Sequence, residues 1–344
     1  MTTQQANIDL RAVVAKILGT IEREREQEII SRRFGLKDRR ETLEQIGELL
    51  GITRERVRQL EKAVLARLKV QAEDENLPAI AEAEKTIIRH LHDLGRVATV
   101  ADLAKAISGK DDDRTQAHVA LIATIAPGMA VIDENDDYRA AVAIAEYHDA
   151  AKVKKLIDDV VKEVKIVGEP VSLDELHARM RFAHPQHIQA LASSSKQLAS
   201  LRGLWGLMKW PLVNPKNIRD KIYVILKDNE KPMHFSAIAK AIKDSSFKRR
   251  DVTTQAIHNE LIKDGRFVLI GRGIYALKEW GYKKGTVADV ITEVLKKSGK
   301  PLHRDEIVKR VLKSRRVKET TILLNLQGKA QFKRVAKATY DLAE

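Results

Sequence analysis

The stretch TLEQIGELLGITRERVRQLEKAVLARLK, residues 42–69, contains two helical patterns joined by a glycine. Thr42 is a good N-cap, and Gln45 at the third helical position completes a capping box. Gly51 suits the positive φ of a tight turn, and Thr53 can cap the second helix. The apolar positions expected to face inward are Leu43, Ile46, Leu49 and Leu50 in the first helix, and Val57, Leu60, Val64, Leu65 and Leu68 in the second. The stretch therefore predicts a helix-turn-helix. Apolar spacing predicts two helices before it, over about residues 8–18 and 22–34.

The second helix of this pair carries a polar face on its first two turns. Arg54, Glu55, Arg58 and Gln59 lie opposite the apolar positions. A helix of this kind can enter the major groove of duplex DNA, where Arg donates twice to guanine, Gln pairs with adenine and Glu accepts from cytosine. The other interpretation is an ordinary helical hairpin with a solvated charged face, and periodicity alone does not separate the two.

The run REREQEIISRRFGLKDRRETLEQIGELLGITRERVRQLEKAVLARLK, residues 23–69, resembles region 4 of the sigma-70 family of bacterial promoter-specificity subunits. The pieces RFGL, TLEQIG and TRERVRQLE follow the family pattern in order and spacing. The resemblance implies that Arg54, Glu55, Arg58 and Gln59 face the base edges of a minus-35-like upstream promoter element. It implies that Thr42 and Arg56 lie near the phosphate backbone. It also implies that the apolar surface of the first two helices meets the β-subunit flap of RNA polymerase.

A complete sigma factor also has an aromatic-rich region that melts promoter DNA. No such region precedes the pattern, so this chain is expected not to open promoters by itself.

Composition narrows the class of protein. The 344 residues carry a formal net charge of +14, which favours a polyanionic partner. Aromatic residues make up 4%, too few for a surface that stacks single-stranded bases, so duplex DNA is expected.

The chain has no cysteine, no apolar run of about 20 residues and no signal-peptide pattern, so a cytoplasmic, nucleoid-associated protein without a membrane contact is expected. No nucleophile, base and orienting group occur together, which predicts a non-enzyme without cofactor, metal or small-molecule substrate. His177, His184 and His187 are interpreted as scattered surface histidines.

A short helical pattern recurs four times after residue 80. Its copies are ADLAKAI (101–107), DELHARM (174–180), SAIAKAI (236–242) and DEIVKRV (305–311). Each copy follows a longer helix and precedes a third helix and an apolar strand pair. Helix-turn-helix followed by a hairpin predicts a winged helix. The expected third helices are 114–126, 185–201, 252–263 and 319–326, and the strand segments are 129–133 with 138–142, 204–210, 267–277 and 332–342.

The whole chain is thus predicted to be mainly α with small β wings. The expected domains are a helix-turn-helix over 1–70, an acidic winged helix over 80–148, and winged helices over 151–215, 216–282 and 283–344.

Residues 217–282 contain the motifs KPMHFSAIAKAI and FVLIGRGIYALKEWGY. Through these motifs the segment resembles the HARE-type helix-turn-helix family, which includes the N-terminal domain of the RNA polymerase delta subunit. Residues 285–344 are similar to a divergent copy that keeps KPLH. That family binds either DNA or protein.

Charge differs between these segments. Residues 71–150 have seven basic and sixteen acidic side chains, which favours a protein contact or a spacer. The last two segments are basic, and their candidate phosphate contacts are Lys248, Arg249, Arg250, Arg272, Arg315, Arg316 and Lys318. A basic face that serves only solubility is the alternative.

The leading hypothesis is a sigma-like transcription protein that binds upstream promoter DNA and RNA polymerase. The second is a protein-interaction scaffold or accessory polymerase subunit that does not recognise bases. The third is the DNA-targeting part of a restriction or repair system.

Overall fold

The computed structural model describes residues 8–110, 112–182, 184–247, 251–282, 285–313, 315 and 317–343. This part of the chain is mainly helical and contains four antiparallel sheets of three strands each, which confirms the predicted fold class. Contacts divide the chain into two compact units, Met1–Met208 and Lys209–Glu344. Within the described ranges, no helix is both long and apolar enough to cross a bilayer.

Four helices form the N-terminal part of the first unit. They are α1 (Leu10–Gly19), α2 (Glu24–Phe34), α3 (Leu43–Leu50) and α4 (Arg54–Glu73). The Asp9 carboxylate accepts hydrogen bonds from the first backbone N–H groups of α1, and Gly35, at a φ of 75°, ends α2. All four expected helices are present.

One order of elements then recurs four times: a helix, a short strand, a second helix, a third helix and two strands. The first copy is α5 (Pro78–Leu94), β1 (Val97–Thr99), α6 (Val100–Ser108), α7 (Asp113–Ile125), β2 (Met129–Ile132) and β3 (Ala141–Ile144). The second is α8 (Ala150–Val167), β4 (Val171–Ser172), α9 (Leu173–Met180), α10 (Pro185–Ser194), β5 (Leu198–Leu201) and β6 (Leu204–Leu207). The third is α11 (Ile218–Asn229), β7 (Met233–His234), α12 (Phe235–Lys243), α13 (Thr254–Lys263), β8 (Phe267–Gly271) and β9 (Ile274–Leu277). The fourth is α14 (Val287–Ser298), β10 (Leu302–His303), α15 (Arg304–Leu312), α16 (Glu319–Gly328), β11 (Phe332–Ala336) and β12 (Thr339–Leu342). This is the order of a winged helix.

The sheets share one topology. In each copy the last strand lies in the centre and pairs with both other strands. The short first strands are held by the pairs Val97↔Ala143, Val171↔Trp205, Met233↔Tyr275 and Leu302↔Tyr340. The equivalent apolar residues of the four short helices, Leu103, Leu176, Ile238 and Ile307, are all fully buried. The repeated pattern in the sequence therefore marks equivalent core positions.

Three expectations about local structure were wrong. The third helix of the second copy ends at Ser194 and not near residue 201, because residues 198–201 form strand β5 against β6. The last strand of the first copy starts at Ala141, since Tyr138 pairs with Ser195 of the second copy instead. Leu49 was expected in the core but is 56% exposed, and α3 contributes Ile46, Leu43 and Leu50 to the cluster beneath it instead.

The N-terminal helices and the first winged helix share one hydrophobic core. Leu10, Val13, Val14 and Ile17 of α1 are buried there together with residues of α5 and α7 such as Ile87 and Ile122. The back of α4 joins the same core through Val64 and Leu68. Apolar burial is the main favourable term in folding, so this contact makes residues 8–147 one packed body.

The first and second winged helices are also joined directly. The Tyr138 hydroxyl donates to the carboxylate of Asp158 at 2.9 Å, and the backbone N–H of Arg139 donates to the carbonyl of Ser194 at 2.8 Å. The guanidinium of Arg139 donates to the carbonyls of Ser193 and Ser195. Hydrogen bonds that satisfy backbone groups on both sides fix the relative position of these two copies.

The second unit buries its aromatic residues as the repeat predicts. Phe267 and Tyr275 of the third copy are buried, and so are Phe332 and Tyr340 of the fourth. Trp280 lies half-buried against the hairpin of the third copy.

Candidate nucleic-acid interface

The turn between α3 and α4 is fixed by two glycines. Gly51 adopts a φ of 63°, which favours glycine. Gly47 lies so close to the turn that a Cβ atom there would come within 2.6 Å of the Ile52 carbonyl oxygen. The expected capping box is present, since the Thr42 hydroxyl accepts from the N–H of Gln45 and the Gln45 side chain accepts from the N–H of Thr42. These contacts set the angle between the two helices.

Helix α4 starts where the sequence predicts. The Thr53 hydroxyl accepts from the backbone N–H of Arg56 at 3.2 Å. Val57 is buried beside Ile29 and Ile46, which turns the opposite side of the helix outward. The four predicted base-contacting residues, Arg54, Glu55, Arg58 and Gln59, and the predicted backbone contacts Thr42 and Arg56 are all exposed. The structure thus brings the four predicted base-contacting residues together at the exposed N-terminal end of α4.

The polar side chains on this face bind each other. The guanidinium of Arg58 donates to both carboxylate oxygens of Glu55, at 2.8 and 2.7 Å. The Gln59 amide donates to Glu55 at 3.4 Å, and Arg56 donates to Gln59 at 3.4 Å. The hydrogen bond from Arg58 holds the pKa of the Glu55 carboxyl below its usual value, and the pKa of Arg58 is raised by the same bond. This network was not predicted from the sequence. The only sequence feature that indicates it is the i, i+3 spacing of Glu55 and Arg58.

Ion pairs behind the face tie α2 to the helix-turn-helix. Arg33 of α2 pairs with Glu61 of α4 at 3.2 Å, and Arg25 donates to the Leu50 carbonyl at 2.6 Å. Arg67 of α4 pairs with Glu26, whose side chain is only 6% exposed. A charge buried with a partner strongly resists separation, so α4 is held firmly against α2.

Further along α4, two more basic residues follow Arg58 on nearly the same side of the helix. Arg58, Lys62 and Lys69 line a groove of about 350 Å³ together with the half-buried Leu65. Lys62 and Lys69 were missed as candidates, although their helical spacing from Arg58 could have shown that all three lie on nearly the same side.

The basic residues of the second unit that were predicted to contact phosphates differ in exposure. Arg272 is exposed at the hairpin tip of the third winged helix, and Lys318 is exposed at the start of α16. Arg315 was expected at the surface but is only 7% exposed, and burial lowers the pKa of its guanidinium. A side chain this buried is not placed to meet a phosphate. Lys248, Arg249, Arg250 and Arg316 lie outside the described residues.

The apolar surface of α1 is not free. The resemblance assigns the apolar surface of the first two helices to the polymerase flap, but α5 and α7 of the first winged helix cover the α1 part of it. The Arg114 guanidinium of α7 also donates to the Lys37 carbonyl after α2 at 3.1 Å. The acidic winged helix is therefore bonded to the N-terminal helices and is not a detached spacer.

No cluster of three or more metal-binding side chains occurs among the described residues. The interpretation as surface histidines is confirmed for the exposed His184 but is wrong for His177 and His187, which are half-buried. His187 is not scattered on the surface, because it is half-buried and its Nδ1 lies 2.7 Å from the Gly95 carbonyl oxygen.

Comparison with known proteins agrees with this geometry. Residues 23–70 match the family Sigma-70, region 4. The chain is 46% identical over 69 residues to the RNA polymerase principal sigma factor HrdC of Streptomyces coelicolor, a match that covers 20% of each chain. It is 38% identical over 74 residues to the RNA polymerase sigma factor SigA of a Bacillus species, covering 21% of this chain and 19% of that one. It is 44% identical over 54 residues to the RNA polymerase sigma factor sigB of Arabidopsis thaliana, covering 15% of this chain and 9% of the relative.

The chain thus spans a fifth or less of the length of these relatives. Residues 23–70 of the chain match a sigma-70 region 4 domain, which supports a DNA-binding, transcription-related role.

Proposed function

We propose that the chain is a transcription protein that recognises a minus-35-like element in duplex DNA through α4 and acts together with RNA polymerase. One observation carries the proposal: Arg54, Glu55, Arg58 and Gln59 are exposed together at the N-terminal end of α4, while Ile30, Val64 and Leu68 belong to the core shared with the first winged helix. This packing leaves the N-terminal end of α4 open.

The ion pair between Arg58 and Glu55 does not prevent base recognition. Exposed ion pairs contribute little to stability, so exchanging this one for a guanine and a cytosine costs little. The charge-assisted bidentate bonds that Arg makes with guanine are stronger and are shielded from water in the groove. Thr42, Arg56, Lys62 and Lys69 are proposed to contact phosphates on either side.

RNA polymerase is proposed as the protein partner, through its β flap. Binding of the flap to the apolar surface of α1 would compete with α5 and α7, which cover this surface in the free chain. The flap therefore either displaces the acidic winged helix or contacts the remaining polar side of α2. Strand separation is not assigned to these residues, because the open face suits intact duplex.

The third and fourth winged helices are proposed to be HARE-type domains. The support is KPMH and KPLH, which form the short strands β7 and β10 and the N-caps His234 and His303 of the helices that follow. In the third copy, Gly273 at a φ of 68° lies against the His234 ring, so the hairpin tip packs directly on the KPMH strand. Arg272 at this tip is the proposed phosphate contact of the third copy.

The proposal is tested with duplexes selected from a random-sequence library by the full chain. A protein that neutralises about four to six phosphates should show a slope of log K against log salt of about −4 to −5.

Arg58→Ala is expected to weaken binding to the selected duplex about 10-fold to 100-fold and to relax preference at one base pair. Arg89→Ala, on the exposed side of α5, is the matched control and should bind like the wild type. Equal loss on selected and random duplexes would show that Arg58 contacts only the backbone.

The scaffold hypothesis is favoured by one observation, namely that both hydrogen bonds of the Arg58 fork are already made to Glu55. A chain that only joins proteins would select no duplex and would show a shallow salt slope. The scaffold hypothesis would be established by two results together. The full chain would select no DNA, and polymerase subunits would still be recovered with the Arg58→Ala variant.

A further inference from the structure

A cavity of about 280 Å³ lies where the first and second winged helices meet, within the first compact unit. Its walls come from the end of α5, the turn before α8, the first half of α8 and the start of α10. The volume is close to the lower end of the roughly 300–1,000 Å³ typical of small-molecule sites. It is therefore large enough for a molecule with a single ring.

The joint beside the cavity is tightly built. A Cβ atom on Gly95, which has a φ of 100°, would lie 2.6 Å from the Gln186 carbonyl oxygen, so the two backbones meet at a residue with no side chain. The Nδ1 of His187 lies 2.7 Å from the Gly95 carbonyl oxygen and donates to it. In the neutral ring this leaves Nε2 as an acceptor. These contacts show that the cavity is framed by fixed backbone.

Flat and apolar groups form much of the wall. The Phe182 and His187 rings have centroids 5.1 Å apart, and His148 and His187 have centroids 5.5 Å apart. Leu156 of α8 contributes an aliphatic side chain. A planar ring could stack on this series of rings, since aromatic groups attract at such separations.

The charged groups of the cavity are mostly cationic. Arg96 and Lys152 line it, and neither has a carboxylate partner within the described ranges. The Arg96 guanidinium instead lies 4.1 Å from the centre of the Tyr147 ring. His92 and His184 are also at the wall, and Asp93 is the single carboxylate there. The Nδ1 of His148 is buried and makes no hydrogen bond of good geometry among these residues. An anion would satisfy donors that the chain leaves unpaired.

We propose that this cavity binds a small aromatic carboxylate, with the ring stacked among Phe182, His148 and His187 and the carboxylate held by Arg96 and Lys152. Both halves of the ligand are required. The apolar walls give an inorganic anion nothing to pack against, and an uncharged ring would leave the two cations unpaired. Because the cavity walls belong to both winged helices, the bound molecule would stabilise their joint.

The test uses benzoate as the probe on the full chain, by calorimetric titration and by thermal unfolding. Benzoate at millimolar concentration is expected to bind and to raise the unfolding temperature of the first unit, because a ligand that binds only the folded state stabilises it. Benzamide, which has the same ring without the charge, and inorganic phosphate, which has charge without a ring, should each bind at least about tenfold more weakly.

Variants on α8 locate the site. Lys152→Ala should weaken benzoate binding about threefold to tenfold, whereas Lys155→Ala, an exposed lysine on the same helix that does not line the cavity, should not. Leu156→Trp fills the cavity and should abolish binding while the protein keeps a cooperative unfolding transition. The proposal is overturned if benzoate does not bind the wild type, if benzamide binds as tightly, or if folded Leu156→Trp binds benzoate like the wild type.

Discussion

At the scale of single residues, the region 4 domain depends on a close approach at Gly47. This glycine is buried in α3, and its nearest neighbours are backbone atoms of the turn that leads into α4. Backbone cannot move aside as a flexible side chain can. The conformation of the helix-turn-helix is therefore limited here by the absence of a side chain and not by a special φ angle.

Replacing Gly47 with Ala should destabilise the first unit by about 1–3 kcal/mol, because the added methyl group must push the turn at Ile52 outward. Gly19→Ala is the matched control. Gly19 is also helical, has no atom within 4 Å of an added Cβ, and should give unchanged or slightly higher stability. Urea unfolding followed by circular dichroism measures both. Equal stability of the two variants would show that the turn can relax without cost.

The residues of the candidate interface were predictable to different degrees. Thr42, Thr53 and Gln45 form the caps that their types and spacing indicate, since capping is a local property. Leu49 and Arg315 were misplaced, because exposure depends on which distant elements cover a position. The cavity beside His187 could not be predicted either, since Gly95 and His187 lie 92 residues apart and meet only through packing.

At the scale of elements, α1 is the helix whose role differs most from the expectation. Its apolar face was assigned to a partner protein, and the structure packs it against α5 and α7. An amphipathic helix in the sequence shows that a face will be covered, but it does not identify the element that covers it. The four winged helices were easier to predict, because each repeats the same buried positions in the same order.

Because α1 shares a core with the first winged helix, Ile17→Ala should destabilise both together. Ile17 is 1% exposed, and truncation of such a side chain costs about 2–5 kcal/mol. Lys16→Ala on the exposed side of α1 is the control. Hydrogen exchange should show protection lost in α1, α5 and α7 to the same extent. Loss confined to α1 would contradict the shared core.

At the scale of the whole molecule, the first compact unit contains three histidines that are buried or half-buried. Burial lowers the pKa of His118, His148 and His187, all of which lie in the first unit. The positive charge of a protonated His187 would lower the pKa of His148 further, and the hydrogen bond to the Gly95 carbonyl partly opposes the shift at His187. The stability of the first unit should therefore depend on pH in mild acid.

The stability of the first unit should fall as the pH is lowered from 7.5 to 5.5. Below the usual histidine pKa of about 6.5, the unfolded chain takes up protons that the folded unit, with its lowered pKa values, does not. Stability is thus greatest above that pKa and is lost as the pH falls toward the folded-state values. Urea midpoints of the first unit at three pH values measure the effect, and His118→Gln should reduce the slope, whereas His303→Gln, an exposed histidine of the second unit, should not. A midpoint that stays constant or rises with acid would show that these rings are protonated in the folded chain.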